Sequence, residues 1–389
     1  MKKFLLRFNW LSFASMIVLV VIGAMALASA GEARGTAVFA GKWKSMLGTA
    51  AFGLVLYFVL AFTDYRKLFK YISIPAYGTA VFLLVLVLLI GTEQFGGKRW
   101  LWFFQPSEIS KLCVMMFLAN LFGSREDLFR GHYGFRGFLI AAVAIAVPCL
   151  LILMEPDLGT TLTLVPAVLV ILLAAGVWRK GLVILLAAGC VAATSVLAAV
   201  YEAERPGVSE ERRAAILKYV PLRPHQVERV KTFLFPETDA NDSGYNLRQS
   251  KMTIGAGGFT GKGYGKGESI RRDLLPSMGI MNDFIFCVWA EEMGYLKGSL
   301  LLIFLFAVLC LSTAWAAVVA GDKRGRIFAL GVATLLFAHV YINMGMCIGL
   351  VPITGLPLPF LSLGRTFLIT IMCALGIVQS ISLHREDEK

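Results

Sequence analysis

The sequence predicts an all-α integral membrane protein of about ten transmembrane helices. A long extracytoplasmic loop is expected between helices seven and eight, and a short re-entrant, proline-rich outer loop between nine and ten. Three observations lead there. Apolar residues make up 58% of the 389-residue chain, charged residues only 16%, and the 28 Phe run from end to end. Mean hydropathy is +0.73. So much apolar surface has no place to hide in water, which excludes a soluble enzyme, a disordered chain and a secreted disulfide scaffold.

A helix crosses a hydrocarbon core of ~30 Å with ~20 mostly apolar residues, since backbone groups there find no water to bond. Such runs fall near 9–30, 45–63, 71–90, 107–123, 136–154, 159–178, 180–201, 295–320, 326–350 and 366–384. Only Arg179 and Lys180 separate the sixth run from the seventh, which implies a tight hairpin. Residues 1–389 read as one polytopic domain, with 202–282 as its large outer loop. Ala28-Ser29-Ala30 behind Lys2 and Lys3 mimics a signal-peptidase site. The apolar run before it is longer than the ~7–15 residues of a signal core, so it is read as the first span.

Basic residues in short loops set the orientation. Placing the N-terminus inside assigns sixteen to the cytoplasm: Lys2, Lys3, Arg7, Arg66, Lys67, Lys70, Arg125, Arg130, Arg136, Arg179, Lys180, Lys323, Arg324, Arg326, Arg385 and Lys389. Six fall outside: Arg34, Lys42, Lys44, Lys98, Arg99 and Arg365. Both termini are therefore expected in the cytoplasm. With the cations spread over membrane loops, the net charge of +12 does not imply nucleic acid. The seven Cys show no C-x-x-C pair or Cys/His cluster and read as packing residues.

Ionisable groups at membrane depth are costly, so each is a candidate for function. Lys98 and Arg99 precede Gln105-Pro106-Ser107-Glu108-Ile109-Ser110-Lys111. Glu108 and Lys111 share a helical face, either as a self-neutralising pair or as part of a site. Glu155-Pro156-Asp157 forms an outer turn in which capping accounts for one carboxylate, leaving the other for binding or for pairing with Lys111.

The long loop is bland through Arg213, then changes character. Tyr245-Asn246-Leu247-Arg248-Gln249-Ser250 leads into Ile254-Gly255-Ala256-Gly257-Gly258 and Gly261-Lys262-Gly263-Tyr264-Gly265-Lys266-Gly267. Glycines at this density let N–H groups converge on an anion such as a phosphate, although flexibility alone is the competing reading. Asp283, in Asn282-Asp283-Phe284-Ile285-Phe286, is either a helix cap or a base whose desolvation raises its pKa. Glu291, eight residues on, would lie near its face of a continuous helix. The last outer loop, 351–365, is apolar with three prolines, so it must line protein or a cavity. On the span before it, His339 reads as a packing residue, one turn from Asn343.

In this order these motifs resemble the SEDS family (shape, elongation, division and sporulation). The resemblance spans about residues 9–384. It rests on Gly97-Lys98-Arg99-Trp100 with Gln105-Pro106-Ser107-Glu108 and Lys111, on Glu155-Pro156-Asp157-Leu158-Gly159-Thr160, and on Gln249-Ser250 with Ile254-Gly255 and Gly261-Lys262-Gly263. It also rests on Asp283-Phe284-Ile285-Phe286 with Ala290-Glu291-Glu292, and on Pro352, Thr354-Gly355, Pro357-Leu358-Pro359-Phe360 and Ser362. Asn9-Trp10 and Trp289-Ala290-Glu291-Glu292 are more similar to the elongation branch than to the division branch.

The resemblance implies a bacterial inner-membrane enzyme that polymerises lipid II, with a class B penicillin-binding protein transpeptidase and the elongation machinery as partners. Asp283 matches the family's essential aspartate and would be general base for the GlcNAc 4-hydroxyl. That oxygen attacks the anomeric carbon of a glycan held on undecaprenyl diphosphate, with inversion to a β-1,4 bond. Lys111, Arg248, Lys262 and Lys266 are candidates for the diphosphate; Gln249, Ser250, Thr354 and Ser362 would orient substrate. Lys98, Arg99, Glu108, Glu155 and Asp157 complete the expected substrate-binding set. No cofactor is assigned, and a divalent cation is left open.

Two positions depart from the family pattern. Leu275-Pro276-Ser277 stands where a Leu-Pro-Glu is usual, and Gly364-Arg365 where a Gly-Gly is usual. The second places a cation beside the last outer loop, to grip diphosphate or obstruct it. The competing reading is a lipid-precursor flippase or ion-coupled transporter using Glu108, Lys111 and Asp157 as a relay.

Overall fold

A computed structural model describes residues 6–35, 41–94, 97–102, 104–124, 134–155, 157–205, 207–235, 243–272, 274–275 and 279–385. Lys2, Lys3, Arg125, Arg130, Pro156, Pro276, Ser277 and Lys389 lie outside the described residues. The chain opens with α1 (Trp10–Arg34), α2 (Lys42–Phe62) and α3 (Tyr65–Ile90), followed by an antiparallel hairpin of β1 (Thr92–Gln94) and β2 (Gly97–Trp100). Next come α4 (Pro106–Ser124), α5 (Gly134–Met154), α6 (Leu158–Ala175) and α7 (Arg179–Glu204). The long loop holds α8 (Glu210–Leu217), α9 (Pro224–Leu234), α10 (Ser243–Ala256) and the single turn α11 (Glu268–Arg271). The chain then continues through α12 (Ile285–Gly294), a π-helical turn over Tyr295–Leu300, α13 (Leu301–Val318), α14 (Lys323–Ile348) and α15 (Arg365–Leu383).

Among the described residues eight helices are long and apolar enough to cross a membrane, counting 285–318 as one. α4 and α6 complete the ten expected runs. α4 is made less apolar by Glu108 and Lys111, and α6 is shorter. Both lie inside the bundle, with Val114, Met115 and Leu118 of α4 and Leu164, Ala167 and Ile171 of α6 fully buried. The protein is a multi-pass membrane protein. The terminal segments share one face, where Arg7 Nη1 donates to the Arg385 carbonyl at 2.8 Å.

Two boundaries differ from the sequence reading. The α6–α7 turn is closed by Gly176 in the left-handed conformation, so Arg179 and Lys180 belong to the first turn of α7. The eighth span begins at Ile285 rather than near 295. It is interrupted at Gly294, whose φ of 74° and ψ of −170° are not helical. There Tyr295 and Leu296 donate to the Gly258 and Phe259 carbonyls of the glycine-rich segment, at 2.9 and 3.2 Å.

The proline-rich loop before α15, residues 351–364, is re-entrant. A Cβ added at Gly23 of α1 would collide with the Phe360 carbonyl and the Leu361 Cα, so only glycine lets the loop sit there. Gly23 is ten residues before Ala33, which at 1.5 Å per residue puts the loop tip about 15 Å down from that end of α1. Phe360, 1% exposed, holds φ 64°, a strained value for a residue with a side chain.

Gly23→Ala should therefore destabilise the protein by about 1–3 kcal/mol through backbone overpacking. Gly78→Ala, whose Cβ meets nothing within 4 Å, should be neutral or stabilising. Thermal unfolding in detergent measures both.

Candidate functional site

Asp283 sits in a tight turn before α12. The N–H groups of Asn282, Asp283 and Phe284 all reach the Gly279 carbonyl, at 3.2, 2.8 and 3.0 Å. The re-entrant loop and α14 clamp this turn. Asn343 Nδ2 donates to the Asp283 carbonyl at 3.0 Å and to the Leu356 carbonyl at 2.6 Å. Ser362 Oγ donates to the Asn282 carbonyl and accepts from the Leu358 N–H at 2.7 Å. Leu363 N–H meets the Met281 carbonyl at 2.9 Å.

The clamp leaves the carboxylate itself unengaged. No described residue donates a hydrogen bond to it or forms an ion pair with it. Opposite stands Arg229 of α9, anchored by Nη1 to the Thr354 carbonyl at 3.0 Å. The two side chains flank Gly355: a Cβ there would lie 3.4 Å from Asp283 Oδ2 and 4.0 Å from Arg229 Nη2. Gly355 has φ +73°, a backbone conformation that favours glycine. Burial pushes the Asp283 carboxyl up to about 6, with Arg229 pulling the other way. Burial and then Arg99 lower the Arg229 guanidinium below its ordinary value, against Asp283 and Asp157.

The turn after α5 adds a second acidic group. Asp157 caps α6, accepting from Thr160 N at 3.1 Å and Thr160 Oγ1 at 2.7 Å, and also from Gln105 Nε2 at 2.9 Å. Arg99 Nε donates to the Glu155 carbonyl at 3.3 Å. The Glu155 carboxylate is 0% exposed, and neither oxygen has a hydrogen-bond partner among the described residues. Its pKa rises to about 8, through burial first and Asp157 second, against the pull of Arg99. Lys98 is exposed on β2.

Several sequence candidates have other duties. Lys111 does not pair with Asp157. It is 1% exposed, 2.9 Å from Glu108 Oε2 and 3.0 Å from His339 Nε2, so it is enclosed within the bundle. Lys262 is bound to Glu291 Oε1 at 2.8 Å. Glu291 therefore faces the glycine-rich segment and is not coupled to Asp283, because the Asp283 turn precedes the helix instead of continuing it.

The expected convergence of N–H groups occurs, but on carboxylates of this chain. Glu291 accepts from Glu268 N at 3.0 Å and Ser269 N at 3.3 Å. Glu292 accepts from Ser29 Oγ and from the backbone of Gly265 and Gly267. The glycines serve close approach: a Cβ at Gly257 or Gly261 would collide with the Ala290 or Glu292 carbonyl. Lys266 is exposed, while Arg248 is half-buried and engaged elsewhere. Gln249 is buried with Oε1 unpartnered, and Ser250 ties α10 to α14 through the Cys347 carbonyl at 2.8 Å.

Sequence reasoning passed over Arg229, which lies between the bland stretch ending at Arg213 and the motif that begins at Tyr245. A signal was present: Val227, Val230 and Leu234 pack with Val200 and Val220, a helical spacing that places Arg229 on another face. Among the described residues no three His, Cys, Asp or Glu side chains form a group that could hold a metal ion.

Fold and site together define a polytopic membrane protein with a charged, protein-lined site at the face away from its termini. The chain belongs to the SEDS family: the profile for the FtsW, RodA and SpoVE group, described as "Cell cycle protein", matches residues 4–387. It is 34% identical over 352 residues to "Peptidoglycan glycosyltransferase MrdB" of Escherichia coli (strain K12), covering 89% of this chain and 87% of that protein. "Probable peptidoglycan glycosyltransferase FtsW" of Trichlorobacter lovleyi is 33% identical over 345 residues, covering 87% of this chain and 83% of that protein. A solved structure described as "Structural coordination of polymerization and crosslinking by a peptidoglycan synthase complex" matches with a TM-score of 0.75 and 27% identity, over 98% of this chain and 99% of that one.

The internal role of the glycine-rich segment is testable. Glu291→Ala leaves the half-buried Lys262 cation and the Glu268 and Ser269 N–H groups unpaired, and should cost on the order of 2 kcal/mol. Hydrogen exchange across 257–267 should accelerate and the melting temperature fall, while Lys266→Ala changes neither.

Proposed function

We propose that this chain polymerises the glycan strands of peptidoglycan, with Asp283 as general base. It is a membrane peptidoglycan glycosyltransferase of the SEDS family. The observation that carries the role of Asp283 is a carboxylate held by its backbone on three sides, without a direct partner among the described residues, and raised by burial to about 6. Such a group is charged at neutral pH yet basic enough to take a proton in the transition state.

In this mechanism the GlcNAc 4-hydroxyl of lipid II loses its proton to Asp283 as its oxygen bonds to the anomeric carbon of the lipid-linked glycan. The bond from that carbon to the diphosphate oxygen breaks, undecaprenyl diphosphate leaves, and configuration inverts to β-1,4. Arg229 keeps Asp283 ionised before transfer and offers positive charge near the departing diphosphate. Gln249, whose buried oxygen is unpartnered, is a substrate contact, as are Arg99 and Glu155. Glu155, neutral at pH 7, can donate a hydrogen bond to a sugar or phosphate oxygen. No step is routed through a metal.

The transporter reading loses its relay, because Lys111 is committed to Glu108 and His339 and Asp157 to a helix cap. The basic-residue bias supports cytoplasmic termini in a bacterial inner membrane, with the Asp283 face outside. The Asn9-Trp10 and Trp289-Ala290-Glu291-Glu292 wording supports a place in elongation. A class B penicillin-binding protein transpeptidase is the proposed partner, given the polymerising and crosslinking complex to which the chain is structurally similar.

Purified protein with labelled lipid II should yield glycan strands. Asp283→Asn should yield none while melting like the native protein; undiminished polymerisation would remove Asp283 from catalysis. The rate of the native protein should rise with pH through about 6 as Asp283 ionises. Arg229→Ala removes the cation that favours the charged form, so this acid limb should move to higher pH.

A further inference from the structure

Pro148 stands inside α5, where it has no N–H to give to the carbonyl of Ala144 one turn before it. Ala144 is ten residues from the outer end of the helix at Met154. At 1.5 Å per residue that is about 15 Å, the middle of a hydrocarbon core of ~30 Å. An acceptor orphaned there is costly, and a neighbouring helix has to satisfy it. Tyr77 of α3 does so, donating its hydroxyl to the Ala144 carbonyl at 2.8 Å. Its ring is fixed in turn, stacked on Phe117 of α4 with centroids 4.4 Å apart.

The bend at Pro148 aims one edge of the candidate site. Glu155 is seven residues beyond the proline, so the arm that carries it is about 10 Å long. Ile152 faces inward and is fully buried, whereas Leu150, Leu153 and Met154 are exposed on the membrane side. At the tip, the Glu155 carbonyl accepts from Arg99 Nε at 3.3 Å and the Met154 carbonyl from Arg223 Nη2 at 3.4 Å. Both bonds are long. A change of about 10° in the bend would carry the tip of such an arm about 2 Å, further than either bond survives.

What lies past the tip reaches the base. A Cβ added at Gly159 would stand 2.8 Å from Leu356 Cδ2, and Leu356 follows Gly355, the residue flanked by Asp283 and Arg229. The charged groups facing the Glu155 carboxyl are Asp157 and Arg99. The direction of the outer half of α5 therefore decides where that carboxyl stands relative to Asp283.

We propose that Tyr77 is a positioning residue for glycan transfer: its bond to the Ala144 carbonyl fixes the bend at Pro148 and so holds the Glu155 carboxyl beside Arg99 and Asp157. The word transfer rests on the polymerase reading; the link from Tyr77 to Glu155 does not.

Tyr77→Phe keeps the stacked ring and removes only the hydroxyl. Infrared difference spectroscopy of the purified protein follows the protonated Glu155 carboxyl, assigned by its loss in Glu155→Gln, and needs no turnover. The native midpoint should be about 8, set first by burial. Once the arm swings and water reaches the carboxyl, the midpoint should fall by about one pH unit or more. With lipid II, kcat/KM should drop about tenfold or more, while the acid limb set by Asp283 stays at about 6.

Pro148→Ala, added to Tyr77→Phe, separates aim from repair. The new N–H satisfies the Ala144 carbonyl and should recover the melting temperature, but it straightens the helix. The Glu155 midpoint and kcat/KM should therefore stay displaced. Recovery of all three together shows that Tyr77 only mends the helix and overturns the proposal, as does an unmoved Glu155 midpoint in Tyr77→Phe. If the midpoint moves but the native chain makes no polymer, the polymerase reading fails and the Tyr77 to Glu155 link stands. If Tyr77→Phe polymerises with native kcat/KM, the positioning role fails and the polymerase reading stands.

Discussion

Non-helical backbone sunk into a membrane protein survives only if every N–H and C=O finds a partner within the protein, because hydrocarbon offers none and each orphan costs several kcal/mol. The segment from Val351 to Gly364 is under that constraint, and the rest of the site is built from the way it is met. One amide, on Asn343, serves the Leu356 and Asp283 carbonyls together. One hydroxyl, on Ser362, serves Asn282 and Leu358. Arg229 serves Thr354. The groups that make the re-entrant loop tolerable are thus the same ones that aim the Asp283 carboxylate, so the stability of the loop and the geometry of the base cannot be separated.

The buried charges divide by whether their needs are already met. Glu108 and Lys111 neutralise each other beside His339, Asp157 closes a helix end, and Glu291 and Glu292 are wrapped by backbone from the glycine-rich segment. These hold the scaffold. Asp283 and Glu155 keep carboxylates that no described group satisfies directly, and burial raises both. Two unsatisfied acids near Arg99 and Arg229 make a place where an incoming polar molecule supplies what the chain omits.

Hydropathy made the ten helical runs legible, because twenty apolar residues have few other uses. The re-entrant loop was legible for a related reason, three prolines in an apolar stretch. The motifs brought Asp283, Glu155 and the last loop together without geometry. Side-chain partnership was not legible: Lys111 and Lys262 looked available because sequence shows charge and not whom it faces. Nor was the glycine-rich segment, since convergent N–H groups are equally apt for an external phosphate and an internal carboxylate. The start of the eighth span was missed because Glu291 and Glu292 made residues 285–294 look interfacial, when the segment behind them supplies their bonds. Arg229 was hidden because the amphipathic stretch that carries it is only eleven residues long.

The break at Gly294 bears on how the protein is made. The amides just past it are completed by carbonyls of Gly258 and Phe259, each 37 residues upstream. A translocation channel that releases this segment sideways therefore handles two half-helices and an unfinished joint, and the joint closes only once the glycine-rich stretch has folded back against it. Biogenesis acquires an order in which the eighth span is complete only after a segment made before it has folded.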